Sequence, residues 1–238
     1  VTEELFRQDA YLKTATAQVR AATQAGIVLD RTIFYPMGGG QPGDTGTLVR
    51  ADGTRIAIAD TRKGEVGKGE AGILHIPADG QALPDTGEAV TLEIDWARRH
   101  RHMRMHSALH LLCAVVPAGV TGGQIGAERS RLDFDPGEVV FDKAAIEIGL
   151  NRLIAQDAPI AARWVEESEL DARPELVRTM SVQPPRGAGR VRLLDIAGVD
   201  LQPCGGTHVA RTGEIGPIIV EKIESKGKRN RRVVLALA

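Results

Sequence analysis

From Trp96 to Val116 the chain reads WARRHRHMRMHSALHLLCAVV, with no glycine and no proline. Both residues disfavour a helix interior, glycine through backbone entropy and proline through a lost hydrogen bond. A stretch that omits them is predicted to run as one long helix. Asp95 is placed to cap its start, and Pro117 with Gly119 to end it. Up to about residue 92 the pattern is different, with short apolar runs punctuated by glycine: GIVLD, TIFYPM, GTLVR, TRIAIAD, GILHIP and EAVTLEID. Runs of that length between turn signals predict strands. After the helix, QIGAERSRLDFD and EVVFD read as paired strands and AAIEIGLNRLIAQD as a second helix. IAARWVEES, RVRLLDIAGVDLQPC, EIGPIIVEKIESK and RRVVLALA read as further strands. The fold class expected is α+β. A small barrel-like N-terminal β domain spans 1–92, and a two-layer α/β domain with a mainly antiparallel sheet spans 93–238.

Composition narrows the functions open to such a chain. Only 3% of the 238 residues are aromatic, which leaves few platforms for stacking single-stranded bases, so contact with nucleic acid would run through charge and shape. The formal net charge of -1 gives no global attraction to a polyanion, and any such contact must rest on local basic patches. Cys113 and Cys204 are too few for a disulfide scaffold, so a reduced, cytoplasmic protein is expected, with a disulfide between the two as the alternative. No apolar run approaches the roughly 20 residues of a membrane span, and VTEELFRQDAYL carries acids where a leader would be basic and apolar. Neither a membrane nor DNA is expected as a partner.

Two short motifs carry the chemistry. In MHSALHLL, His106 and His110 are four apart, which on a helix puts two imidazoles on one face about 6 Å apart. In PCGGTH, Cys204 and His208 are also four apart, and Gly205 with Gly206 argues for a turn that brings both side chains to one point. Two such halves suit a tetrahedral site, and thiolate with imidazole selects zinc over magnesium or calcium. His102 is also four residues from His106 and offers an alternative pair. It lies about 12 Å along the axis from His110, too far to share one ion with it, and Arg98, Arg99, Arg101 and Arg104 crowd its end of the helix. Cys113, in LLCAVV, reads as a small buried hydrophobe.

HSALH followed by CGGTH resembles the paired motifs of the alanyl-tRNA synthetase editing domain and of its free-standing relatives, the AlaX proteins. The threonyl-tRNA synthetase editing domain carries a related pair. TIFYPMGGGQPGDTG, from Thr32 to Gly46, is similar to the glycine-rich segment of the β domain that precedes the alanyl editing domain, and IESKGKRNRRV to that family's C-terminal segment. The resemblance is to the medium-length AlaX type. It implies that residues 93–238 form a zinc-binding editing domain that hydrolyses mischarged tRNA(Ala), chiefly Ser-tRNA(Ala) and also Gly-tRNA(Ala). A pocket that rejects a near-isostere poorly needs such a second, hydrolytic sieve.

Under that resemblance Gly38, Gly39 and Gly40 let backbone amides approach the aminoacyl end, and Gln41 and Thr207 are candidates to reward the serine hydroxyl. A local turn is the plainer reading of GGGQ. The span Glu221 to Arg232 holds six basic residues against two acids, a local net charge of +4. Lys226, Lys228, Arg229, Arg231 and Arg232 are the candidate tRNA contacts, reaching phosphates whatever the base; a solvated hairpin tip is the alternative. The arginines ahead of His106 make a second positive patch. Zinc held by His106, His110, Cys204 and His208 would position the ester for a zinc-associated water. Four protein ligands fill a tetrahedral shell, as in structural sites, so either the shell expands or one member, His208, binds weakly or acts as a base. Two other readings are a non-catalytic, zinc-stapled tRNA-binding module and a zinc peptidase. HSALH lacks the glutamate that serves as base in peptidases of the H-E-x-x-H type.

Overall fold

The computed structural model describes residues 2–65, 71–173, 176, 189–227 and 229–238. The chain divides into two compact units, Val1–His100 and Arg101–Ala238, and the division falls inside the long helix rather than ahead of it.

In the first unit a parallel pair, β1 (Glu3–Glu4) and β4 (Arg31–Thr32), stands apart from six strands that close on themselves. These are β2 (Thr14–Thr23), β3 (Gly26–Leu29), β5 (Gly46–Arg50), β6 (Arg55–Glu65), β7 (Ala71–Pro77) and β8 (Ala89–Ile94). They join in the order β2-β3-β7-β6-β5-β8 as a closed barrel, every neighbour antiparallel. Successive strand residues point to opposite faces, and β8 shows it: Val90, Leu92 and Ile94 are buried, while Ala89, Thr91 and Glu93 are not. Val19, Ile27, Leu29, Leu48 and Ile56 complete the barrel interior with them. Closure removes the unpaired edges that make open sheets prone to aggregation.

Two expectations change here. TIFYPM forms strand only at Thr32, and Ile33, Phe34 and Tyr35 are buried without being paired in a sheet. Their backbone is held instead by side chains, Phe34 N–H donating to Thr32 Oγ1 at 3.0 Å and Tyr35 N–H to Asp44 Oδ2 at 2.6 Å. The strand β2 had no counterpart in the sequence reading, because TATAQVRAAT alternates small and polar residues with only Ala17 and Val19 buried.

The second unit carries most of α1 (Trp96–Val115), α2 (Lys143–Ala155) and the short α3 (Glu167–Asp171). The Asp95 cap is present, its Oδ1 accepting from Arg98 N–H at 3.1 Å. From Met103 to Leu112 only Arg104 is not buried, as befits a helix enclosed on nearly all sides. One sheet has the order β14-β15-β10-β9, from β9 (Gly119–Gln124), β10 (Arg129–Asp135), β14 (Ile218–Ser225) and β15 (Arg231–Leu237). The other has the order β11-β12-β13, from β11 (Ile160–Glu166), β12 (Arg190–Ile196) and β13 (Asp200–Pro203). Both are antiparallel throughout. EVVFD is not the partner of β10, which pairs with β9 and β15. It lies outside the strands and leads into Asp142, the α2 cap, whose Oδ1 accepts from Ala145 N–H at 2.9 Å. The open edge of β14 is covered by α2: Asn151 Oδ1 accepts from Ile218 N–H, its Nδ2 donates to Ile218 O, and Glu147 accepts from Val220 N–H.

Candidate metal centre

His106 and His110 sit one turn apart on α1, their ring centroids 5.3 Å from each other. Cys204 follows directly on the last residue of β13, and the Gly205-Gly206 turn returns His208 to it. The His208 ring centroid lies 4.1 Å from that of His106 and 4.9 Å from that of His110. Cys204 Sγ is 3.5 Å from His106 Nε2 and 3.2 Å from His208 Nε2. One donor atom from each of the four residues lies within 4.8 Å of every other. Zinc with nitrogen and sulfur ligands at ordinary bond lengths sets its donors about 3.3–3.6 Å apart, so the set contracts around an ion with little movement. The three imidazoles are buried and Cys204 is half-buried. His102 is buried on the same helix but outside this cluster. Cys113 is buried at 7% exposure, and both cysteines are free thiols, so the disulfide alternative does not hold.

The Cys204 thiolate and the neutral His208 suit a cation, whereas His110 must release a proton to bind one. Burial alone would raise the Cys204 thiol, but His106, then His208 and His110, hold it well below the usual thiol range. It is therefore poised as a thiolate. Burial opposes charge on His110 as well, but the Cys204 thiolate and then Asp200 outweigh it and raise the imidazole to about 9. Burial, reinforced by His106, keeps His208 well below the usual imidazole range despite Cys204 beside it. A neutral imidazole is the ligand form.

Three polar side chains that the sequence reading passed over surround the donors. Asp200 Oδ2 lies 3.2 Å from His110 Nδ1, and Gln202 Nε2 donates to the same Oδ2 at 2.6 Å. Ser107 Oγ lies 3.4 Å from His208 Nδ1 and accepts from Val209 N–H at 3.3 Å. The signal for the first two was available: Asp200 and Gln202 alternate along β13 and so share one face, and Cys204 comes two residues after Gln202.

Comparison with known proteins now decides the family. Residues 191–234 match the family model of the threonyl and alanyl tRNA synthetase second additional domain, and residues 6–98 match that of the class II (A) tRNA synthetases. The "Alanyl-tRNA editing protein AlaX-M" of Methanosarcina acetivorans is 39% identical over 248 residues, covering 100% of this chain and 99% of its own length. The chain belongs to the AlaX family of alanyl-tRNA editing proteins. The AlaX-M protein of Saccharolobus solfataricus is 36% identical, with 98% of both chains covered. The alanine–tRNA ligase of Pyrobaculum calidifontis is 35% identical over 94% of this chain, which spans 25% of that ligase.

The remaining candidate residues of this AlaX chain fall in separate places. Gly38 to Gln41 form a tight turn in the first unit, with the Gly38 and Gln41 backbones exchanging hydrogen bonds of 3.1 and 3.0 Å. Gly39 and Gly40 have φ of 57° and 81°, the left-handed region that a two-residue hairpin turn demands and that favours glycine. Gln41 in that turn and Thr207 beside His208 are both buried, at 0% and 1% exposure.

The basic segment is the end of the β14–β15 hairpin. Lys222 and Lys226 both pair with Glu224, at 3.0 and 3.3 Å. Arg231 donates to Ser225 Oγ and to the Gly227 and Asn230 carbonyls. Arg232 forms a fork with Asp133 at 2.7 and 3.0 Å. Arg229 is 89% exposed, 3.9 Å from Asp135, and Lys228 lies outside the described residues. The second positive patch does not form as expected. Arg99 is buried in an ion pair with Asp44 and donates to the Ile33 and Ala10 carbonyls. Arg98 donates to Gly43 O and Arg104 to Ile215 O. Only Arg101 of the four is exposed, because the others are occupied in satisfying buried carbonyls and a buried carboxylate.

Proposed function

We propose that this chain is a hydrolase that removes wrongly attached amino acids from tRNA(Ala), chiefly serine and also glycine, at a zinc centre held by His106, His110, Cys204 and His208. The observation that carries the reading is the convergence of those four donors within 4.8 Å in a chain of the alanyl-tRNA editing family. The donor chemistry, three imidazoles and a thiolate, is that of zinc. Bound there, zinc would supply a Lewis acid beside the ester that joins the amino acid to the terminal ribose.

The chain's own residues do the rest. His106 and His110 offer nitrogens from one rigid helix, which fixes their separation, and Cys204 offers a negative charge that three neighbouring imidazoles stabilise. His208 takes up a proton less readily than an ordinary histidine, so we assign it to the ligand set and not to proton transfer. Thr207, the buried residue that precedes that ligand in the chain, is assigned to recognition of the serine side chain. A group that hydrogen-bonds serine discriminates against alanine, which cannot answer it. Gly38, Gly39, Gly40 and Gln41 are proposed as substrate-binding residues. Lys226, Lys228, Arg229, Arg231 and Arg232 are proposed as phosphate contacts.

The test is a panel of Ser-tRNA(Ala), Gly-tRNA(Ala), Ala-tRNA(Ala) and Ser-tRNA(Thr). Hydrolysis of the first two, with Ala-tRNA(Ala) spared, is expected. Cleavage of Ser-tRNA(Thr) in preference to Ser-tRNA(Ala) would assign the threonyl specificity instead, and tRNA binding without cleavage would leave a non-catalytic module.

A further inference from the structure

His110 is the ligand whose surroundings are most fully built. Its Nδ1 faces Asp200 Oδ2 at 3.2 Å, and Gln202 Nε2 approaches both, lying 2.6 Å from that oxygen and 2.9 Å from that nitrogen. Asp200 and Gln202 are buried at 5% and 4% exposure. They occupy alternate positions on β13, the strand that leads directly into Cys204, so one stretch of chain delivers a ligand and the polar partners of another. Nδ1 can either donate as N–H to the carboxylate or accept as a bare nitrogen from Gln202 Nε2, not both. An imidazole that gives Nε2 to a metal keeps its proton on Nδ1. The bond to Asp200 is therefore the one made, the Gln202 amide donates to Oδ2 alone, and Nε2 is the nitrogen left to the donor cluster. His106 and His208 likewise present Nε2 to Cys204. Ser107 approaches His208 Nδ1 with a hydroxyl at 3.4 Å, a weaker and uncharged partner.

We infer that Asp200 is a positioning residue that holds His110 as the Nδ1–H tautomer, with Nε2 aimed at the metal, and that Gln202 orients Asp200 by donating to the same Oδ2. A carboxylate that accepts from a ligating imidazole fixes its ring and strengthens it as a donor, and loss of such a partner commonly costs about 10- to 100-fold in metal affinity. An isolated buried carboxylate is costly. Here it lies against a proton that a cation on Nε2 would make more acidic, which accounts for an acid on an otherwise enclosed strand face. The inference rests on the zinc-centre reading above.

The test uses the full chain and Zn²⁺ in competition with a chromophoric chelator, for wild type, Asp200→Asn, Gln202→Met, His110→Ala and the His110→Ala/Asp200→Asn double variant. Circular dichroism of each metal-free protein checks folding. Asp200→Asn should weaken zinc binding about 10- to 100-fold, and Gln202→Met, which keeps the carboxylate, should weaken it less. In the His110→Ala background Asp200→Asn should have no further effect, because Asp200 acts through that imidazole; a merely structural role would add its loss there too. If Asp200→Asn does not fold, Gln202→Met decides alone, and unchanged affinity would overturn the proposal. Wild-type affinity in a folded Asp200→Asn variant overturns the positioning role and leaves the zinc centre standing. Failure of the wild type to take up zinc overturns the centre itself, and the proposal with it.

Discussion

His75 of β7 is wholly buried, with Nδ1–H donating to the Ile27 carbonyl at 2.9 Å and Nε2 accepting from Thr32 Oγ1 at 2.7 Å. Burial, only partly offset by the Ile27 carbonyl, lowers it to about 4. The folded-state value thus lies below the unfolded one, so the unfolded chain binds the proton more tightly between about pH 6.5 and 4. Stability is full above that window and falls as the pH drops through it. For His75 alone the loss between pH 7.5 and pH 5 should be roughly 2 kcal/mol. It should appear in urea unfolding as the part of the pH dependence that His75→Gln removes. At the metal centre, Cys204→Ala should abolish most zinc uptake by removing the thiolate. Cys113→Ala should leave zinc content unchanged and cost about 1 kcal/mol of stability through lost packing. Equal zinc loss in both variants would contradict the ligand assignment. The four donors were legible in the sequence because each pair repeats at a spacing that places both side chains on one point. Asp200, Gln202 and Ser107 were not, since nothing in their identities says which imidazole lies opposite.

Among the elements, long ones were easier to read than short ones, for physical reasons. The helix from Trp96 and the helix AAIEIGLNRLIA carry their own boundaries in Asp95 and Asp142, each of which caps a first turn as its residue type favours. TIFYPM and EVVFD look like strands because apolar density was the signal, whereas a strand also needs a neighbour to pair with. Phe34 and Tyr35 satisfy their N–H groups on Thr32 and Asp44 instead. The basic run near the C-terminus was visible as charge, with a hairpin tip as its alternative reading, but its pairing with Glu224 and Asp133 was not. That division makes a prediction. Replacing Lys226 and Arg229 together with Ala should lower the slope of log affinity for tRNA against log salt by roughly 1.5 and leave folding intact. Arg232→Ala should instead lower the melting temperature, because it removes the fork to Asp133 and leaves that carboxylate to Arg131 alone. Filter binding at several salt concentrations, with thermal unfolding alongside, separates the two effects. An unchanged salt slope in the Lys226/Arg229 variant would mean that this hairpin faces solvent in the complex.

For the molecule as a whole, a net charge of -1 says nothing about function, because a sum over the chain hides any local patch. A change in pattern near residue 92 is where the sequence suggests a boundary, while the compact units part at His100. The difference arises because the first turns of α1 answer to the first unit, where Arg99 is buried against Asp44. The motifs in HSALH and CGGTH are 94 residues apart from His110 to Cys204, and their meeting depends on the whole second unit being folded. The central claim, that this convergence makes a zinc-dependent deacylase, is tested most directly by one measurement. Hydrolysis of Ser-tRNA(Ala) is followed with purified protein as isolated, after removal of metal by chelation, and after one equivalent of Zn²⁺ is restored. Activity that falls at least tenfold on chelation and returns with Zn²⁺ is the expected result, whereas hydrolysis that continues undiminished in the metal-free protein would contradict the account.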